Sequence, residues 1–143
     1  PAPEDLAAVT TSWLELQLTA TDSLGRSTTI TRELRPQIVT LRLLTEPAGL
    51  QVSVNDGVAT TNLTTPADVP SWPGYALTLG APDGQSAGGV PVQLCGWRHG
   101  GPPSQQIVTP IASTTYTAIF APADGPCSAQ VGDVRLYLPL AGR

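Results

Sequence analysis

With 143 residues, a formal charge of −4 and an isoelectric point near 4.6, the chain is long enough to bury a sizeable core and too short for two full-sized domains. Charged residues make up 13%, about half the usual ~25%, and the basic ones are scattered Arg with no Lys. That leaves no electrostatic footprint for a phosphate backbone and excludes nucleic acid as the expected partner.

Thr is abundant, and the 14 Gly and 15 Pro are enriched yet short of the composition of disorder, the profile of an ordered, turn-rich, all-β protein. Residues 1–11 hold two Pro, two acids and small residues with no period of 2 or 3.6, and read as a linker. Pro1-Ala2-Pro3-Glu4-Asp5 lacks the basic and apolar regions of a signal peptide, so the chain is expected to begin inside a longer protein. No apolar run approaches the ~18 residues that would span a bilayer.

From Ser12 the period becomes 2. Leu14, Leu16, Leu18 and Ala20 share one face, and Glu15, Gln17, Thr19 and Thr21 the other. The turn Asp22-Ser23-Leu24-Gly25-Arg26 reverses the chain into Thr28 to Arg35, where Ile30 and Leu34 continue the apolar face. A lone hairpin is marginally stable in water, so this face requires a cover. The expected cover is either a second copy of the chain or the chain's own module.

Pro36 ends that strand. Gln37 to Glu46 alternates with apolar residues on both faces, which predicts a strand buried between two layers. Pro47-Ala48-Gly49 turns the chain, and Asn55-Asp56-Gly57 joins Leu50–Val54 to Val58–Asn62 as a second hairpin. With three Pro in ten residues, 65–74 reads as a loop that carries Trp72. Tyr75, Leu77 and Leu79 form the next strand, Pro82 to Gly89 a second loop, and Val90, Val92 and Leu94 a strand that enters the strongest local signature. That signature, Leu94 to Phe120, reads as a hairpin anchored by Trp97, turned at Gly100-Gly101 and followed by a closing strand through Tyr116, Ala118 and Phe120. Val134, Leu136 and Leu138 predict a terminal edge strand within a tail from 122 to 143.

Cys95 and Cys127 are too few, with the single His99, for a zinc site, and neither has the basic neighbours that activate a thiolate. A disulfide is the better reading, worth roughly 3–4 kcal/mol for a loop of this length. It implies an oxidising, extracytoplasmic location.

Three motifs now form a series: Leu18-Thr19-Ala20-Thr21-Asp22-Ser23-x-Gly25, Thr45-x-Pro47-Ala48-Gly49-Leu50-Gln51-Val52, and Trp97-x-x-Gly100-Gly101 with Thr114-Thr115-Tyr116-Thr117-Ala118. Over residues 12–121 the chain resembles the C-terminal region of bacterial exported PKD-containing proteins, especially those of the glucose/sorbosone dehydrogenase type. There, a PQQ-dependent β-propeller or another secreted enzyme precedes an immunoglobulin-like PKD domain and a small β-module. The resemblance implies an immunoglobulin-like or β-sandwich accessory module. Its parts would be a terminal hairpin of a truncated PKD-like domain over 12–36, a connecting strand over 37–46 and the β-module over 47–121. Arg98 and His99 stand where the family's turn has Ser-Asp, and the cysteine pair lies outside its pattern.

No residue set offers a nucleophile with its base, a carboxylate pair or a metal cluster, and no cofactor is expected. His99 in a Gly-rich turn reads as a solvated residue rather than a ligand. The acids on predicted loops lack the spacing that gathers oxygens round one calcium ion. Trp72 and Tyr75, flanking Pro73-Gly74, are the candidate ligand platform, because an exposed aromatic ring can stack on a sugar face. The competing reading folds Trp72 down as a core cap. The expected function is that of a non-catalytic spacer or docking region in an exported multidomain protein. Its partners would be the other domains of that polypeptide, with a carbohydrate-binding module as the alternative and a homodimer through the hairpin as a further association.

Overall fold

The computed structural model describes residues 3–127, which form eleven strands and no helix. Strand β1, Leu14–Thr21, pairs antiparallel with β2, Ser27–Leu34, as a separate two-stranded sheet. Leu14 lies opposite Leu34 and Leu18 opposite Ile30, as the alternation predicts. The turn is held by Asp22, whose carboxylate accepts the amides of Leu24 and Arg26 at 2.9 Å and the Arg26 guanidinium at 2.7 Å. These short bonds make Asp22 a stronger acid than usual; the Arg26 amide contributes most, followed by its guanidinium.

The other strands build two sheets. The five-stranded sheet runs β6 (Ala67–Ser71), β3 (Val39–Glu46), β11 (Thr114–Pro122), β9 (Val90–Trp97), β8 (Ser86–Ala87). The four-stranded sheet runs β10 (Gln105–Val108), β7 (Ala76–Gly80), β4 (Gln51–Asn55), β5 (Thr60–Thr64). All pairs are antiparallel except β3 with β11. Leu41, Leu43, Val69, Trp97, Tyr116, Ala118 and Phe120 from the first sheet share one core with Val52, Val54, Leu77 and Leu79 from the second. Two sheets around one apolar layer are compatible with a β-sandwich.

Three expectations are corrected. β3 is buried on one face only, through Val39, Leu41, Leu43 and Thr45, while Ile38 remains 45% exposed. It is flanked in its sheet by β6 and β11 but covered by a single layer. The Pro-rich segment is not all loop, since Ala67–Ser71 is an edge strand on β3. An edge strand has one neighbour, so Pro70 can sit where no amide is needed. Finally, Trp97 and Ile107 do not belong to one hairpin. β9 pairs with β11, whereas β10 pairs with β7 across the core, and the Gly100-Gly101 loop carries the chain from one sheet to the other.

β9 also contains a bulge. Trp97 lies opposite Ala118 and Gly96 opposite Ile119, but Phe120 lies opposite Leu94, so Cys95 is the extra residue. The bulge resets the alternation and lets Leu94 and Trp97, three positions apart, both contribute to the core. It places Cys95 beside the tail, where the disulfide to Cys127 forms with Cα atoms 5.2 Å apart. The strand expected at Val134–Leu138 lies outside the described residues.

Residues 3–11, read from sequence as part of a linker, form bends and then consecutive turns over 6–11 that lie against the module. The Asp5 carboxylate accepts the Ala8 amide at 2.8 Å, the Leu6 amide donates to Asp56 at 3.2 Å, and Val9 is 1% exposed. Both ends of the β1–β2 hairpin are therefore fixed, one by this segment and the other by β3.

Candidate functional site

Trp72, next to the β6 edge, is 6% exposed, and its ring stacks on Tyr75 with centroids 3.7 Å apart and planes inclined by 28°. The Tyr75 hydroxyl donates to the Asp56 carbonyl at 2.7 Å. Its acidity is lowered, mainly by burial and secondarily by the charges of Asp56 and Asp5. The stack covers one face of each ring; Trp72 is buried, as in the core-cap reading, while Tyr75 is half-buried.

Within the Leu94–Phe120 signature, Trp97 is fully buried and its indole N–H donates to the Pro103 carbonyl at 2.9 Å. The crossing loop is thereby pinned to the core. His99 is exposed and lies edge-on to Tyr116 at 5.0 Å, with Nε2 3.0 Å from the Gln105 amide nitrogen. Gly101 has φ +93, and a side chain there would run into that of Gln105. Arg98, just past the end of β9, forms an ion pair with Glu46 at the end of β3, across the intervening β11. These contacts fix a turn and assemble no reacting groups. Among the described residues no three His, Cys, Asp or Glu side chains come together as a metal site.

An open cleft of about 740 Å³ lies between the Ala81–Ser86 loop and β9. Asp83 is its one charged side chain, accompanied by Gln85 and Gln93. Gln85 is already committed: its amide bonds the backbone N–H and C=O of Gln51 at 2.6 and 2.9 Å and the Pro82 carbonyl at 3.0 Å. The cleft therefore reads as a braced loop junction.

The surface that stands apart is the hairpin. Leu14, Leu16, Leu18, Ile30 and Leu34 are 41–69% exposed on one face, and Ala20 and Thr28 continue that face toward the tip. The opposite face carries Glu15 facing Glu33, with Gln, Thr and Ser beyond them. Clustered apolar side chains in this number on one exposed face mark an interaction surface. At the hairpin's base, Pro3, Glu4, Ala8, Trp13, Leu14 and Pro36 line a second cleft, of about 280 Å³. Sequence reasoning found the strands and their apolar face but missed this cleft, because it read residues 1–11 as free linker. The signal was there in Leu6 and Val9, apolar residues three apart behind a capping Asp5.

The disulfide, and the absence among the described residues of any helix long and apolar enough to cross a membrane, are compatible with an extracellular protein. Comparison of the chain with protein families, with curated proteins and with solved structures gives no match.

Proposed function

We propose that this chain is a non-catalytic accessory region of an exported multidomain protein of the PQQ-dependent sugar dehydrogenase type. In this reading the disulfide-braced module is a spacer, and the β1–β2 hairpin, PKD-like in its motifs, is its docking element. The observation that carries the reading is the hairpin itself. It is anchored at both ends to a module with a closed core, yet it leaves its own apolar face open to solvent. An element kept for stability would bury that face; an element kept for association presents it. The motif series over residues 12–121 supports the choice of host, and the disulfide supports export.

The test separates association from stability. The double variant Leu16→Thr, Leu18→Thr, measured at submicromolar concentration, is expected to unfold at the same temperature as the parent chain. A fall of more than about 5 °C, which for a chain of this size corresponds to roughly 1–2 kcal/mol, would make the hairpin part of the core and overturn the reading.

A further inference from the structure

We propose that the docking partner is a second copy of this chain, bound through reciprocal hairpins. Their apolar faces pack against one another in antiparallel fashion, and Leu24 at each tip enters the cleft at the base of the other arm. The proposal rests on the reading of the hairpin as a docking element, and four observations lead to it.

The first is shape. Along the apolar face the rows run Leu14/Leu34, Leu16/Arg32, Leu18/Ile30 and Ala20/Thr28 from base to tip. Turning one copy end for end sets the large base row against the small tip row and the two middle rows against each other. Large opposite small is the pairing that lets two layers interdigitate. Arg32, on β2 beside Leu16, can lay its methylenes on the leucines and keep its guanidinium in water.

The second is the tip. Leu24 is 78% exposed in a turn otherwise made of Asp, Ser, Gly and Arg. Two arms of equal length laid antiparallel bring each tip to the other's base, where the cleft is walled by Pro3, Ala8, Trp13, Leu14 and Pro36. The cleft is apolar apart from Glu4 and Ser12, and Arg26, two positions from Leu24 and paired with Asp22, is opposite in sign to Glu4.

The third is area. At their observed exposures the six apolar side chains from Leu14 to Leu34, Leu24 included, present about 600 Å² per copy, or about 1,200 Å² for the pair, the lower end of specific, stable interfaces. The fourth is the polar face. Glu15 lies opposite Glu33, and Arg35 reaches Glu33 at 3.1 Å while standing 5.6 Å from the Trp13 ring centroid. That face keeps its charges in water and directs association to the other side.

Sedimentation equilibrium on the full chain over roughly 1–100 µM tests the proposal, the range in which an interface of modest area is half assembled. A monomer–dimer equilibrium is expected. Leu18→Asp and, separately, Leu24→Ser should each weaken it at least tenfold, while Ile111→Asp, on a loop outside the arm and itself 80% exposed, leaves it unchanged. Leu24→Ser changes only the turn, so its effect cannot come from unfolding the strands. A monomer throughout the range would assign the face to another domain of the polypeptide or to residues 128–143 and would overturn the proposal. With the unfolding temperature of the Leu16→Thr, Leu18→Thr variant unchanged, that result would still leave the docking reading standing. A dimer indifferent to both arm substitutions would place the interface elsewhere and overturn it equally.

Discussion

Thr45 and Thr65 show how much a single buried hydroxyl can control. Both are 4% exposed, and their Oγ1 atoms lie 2.6 Å apart at the corner where the chain passes from β3 to β4. The Leu50 amide donates to Thr45 Oγ1 at 3.2 Å, and Thr65 Oγ1 donates to the Leu50 carbonyl at 2.9 Å. Thr45 must then donate to Thr65, which closes the ring with every hydroxyl proton used once. Thr45→Val keeps the shape and removes the acceptor, so it leaves the buried Leu50 N–H unpaired. A loss of about 1–3 kcal/mol in urea unfolding is expected; a loss below about 0.5 kcal/mol would mean the amide is satisfied by another route. This ring was not legible in the sequence, because two Thr twenty positions apart in a Thr-rich chain carry no mark of burial. Trp97 was more legible: a large aromatic at a strand end next to a Gly turn reads as core, and it is.

Legibility at the level of the element follows how local the determining forces are. The β1–β2 hairpin was readable to within a residue or two because alternation and turn chemistry act within about twenty residues. β4 and β5 were readable for the same reason, with Asn55-Asp56-Gly57 between them. The β9–β10 reading failed because choosing between a hairpin and a crossing depends on which sheet has room, a property of the assembled core. One local trace existed, since the parity break between Leu94 and Trp97, with Gly96 between them, is the mark of a bulge.

The β4–β5 turn also ties down residues 3–11. The Asp56 carboxylate accepts amides from Ala59 at 2.8 Å, Val58 at 3.0 Å and Leu6 at 3.2 Å. These bonds, Ala59's foremost, hold its acidity stronger than usual against a smaller opposing effect of burial. A carboxyl with a depressed folded value contributes stability that is present above the ordinary carboxylate range and is lost as pH falls through the folded value. Acidification below that range is therefore expected to loosen the turn and the attached Leu6 and Val9. The protection of the Leu6 amide, measured against its intrinsic exchange rate at each pH, should fall as the parent chain is acidified and show a smaller pH dependence in Asp56→Asn, which keeps an acceptor but does not titrate. Equal acid sensitivity in both proteins would place the titration elsewhere.

In the molecule as a whole, β11 is the strand on which the rest depends. It lies between β3 and β9, pairs parallel with one and antiparallel with the other, and brings Tyr116, Ala118 and Phe120 to the core. Because β3 and β11 are far apart in sequence, the five-stranded sheet cannot close until nearly the whole chain is in place. The module should accordingly unfold as one unit. The Cys95–Cys127 disulfide acts on that unit from outside the core, joining the bulge of β9 to the residues just past β11 and shortening the loop that the unfolded chain must close. The double variant Cys95→Ala, Cys127→Ala should thus lose about 3–4 kcal/mol while keeping a single transition. Trp97 and Trp72, both buried, report on the core, whereas Trp13, 52% exposed, reports on the arm. Urea curves from the single-tryptophan versions should coincide for the first two and shift together when the disulfide is removed. If Trp72 and Trp97 separated, the two sheets would be independent units, and the view of one core built around β11 would have to be abandoned.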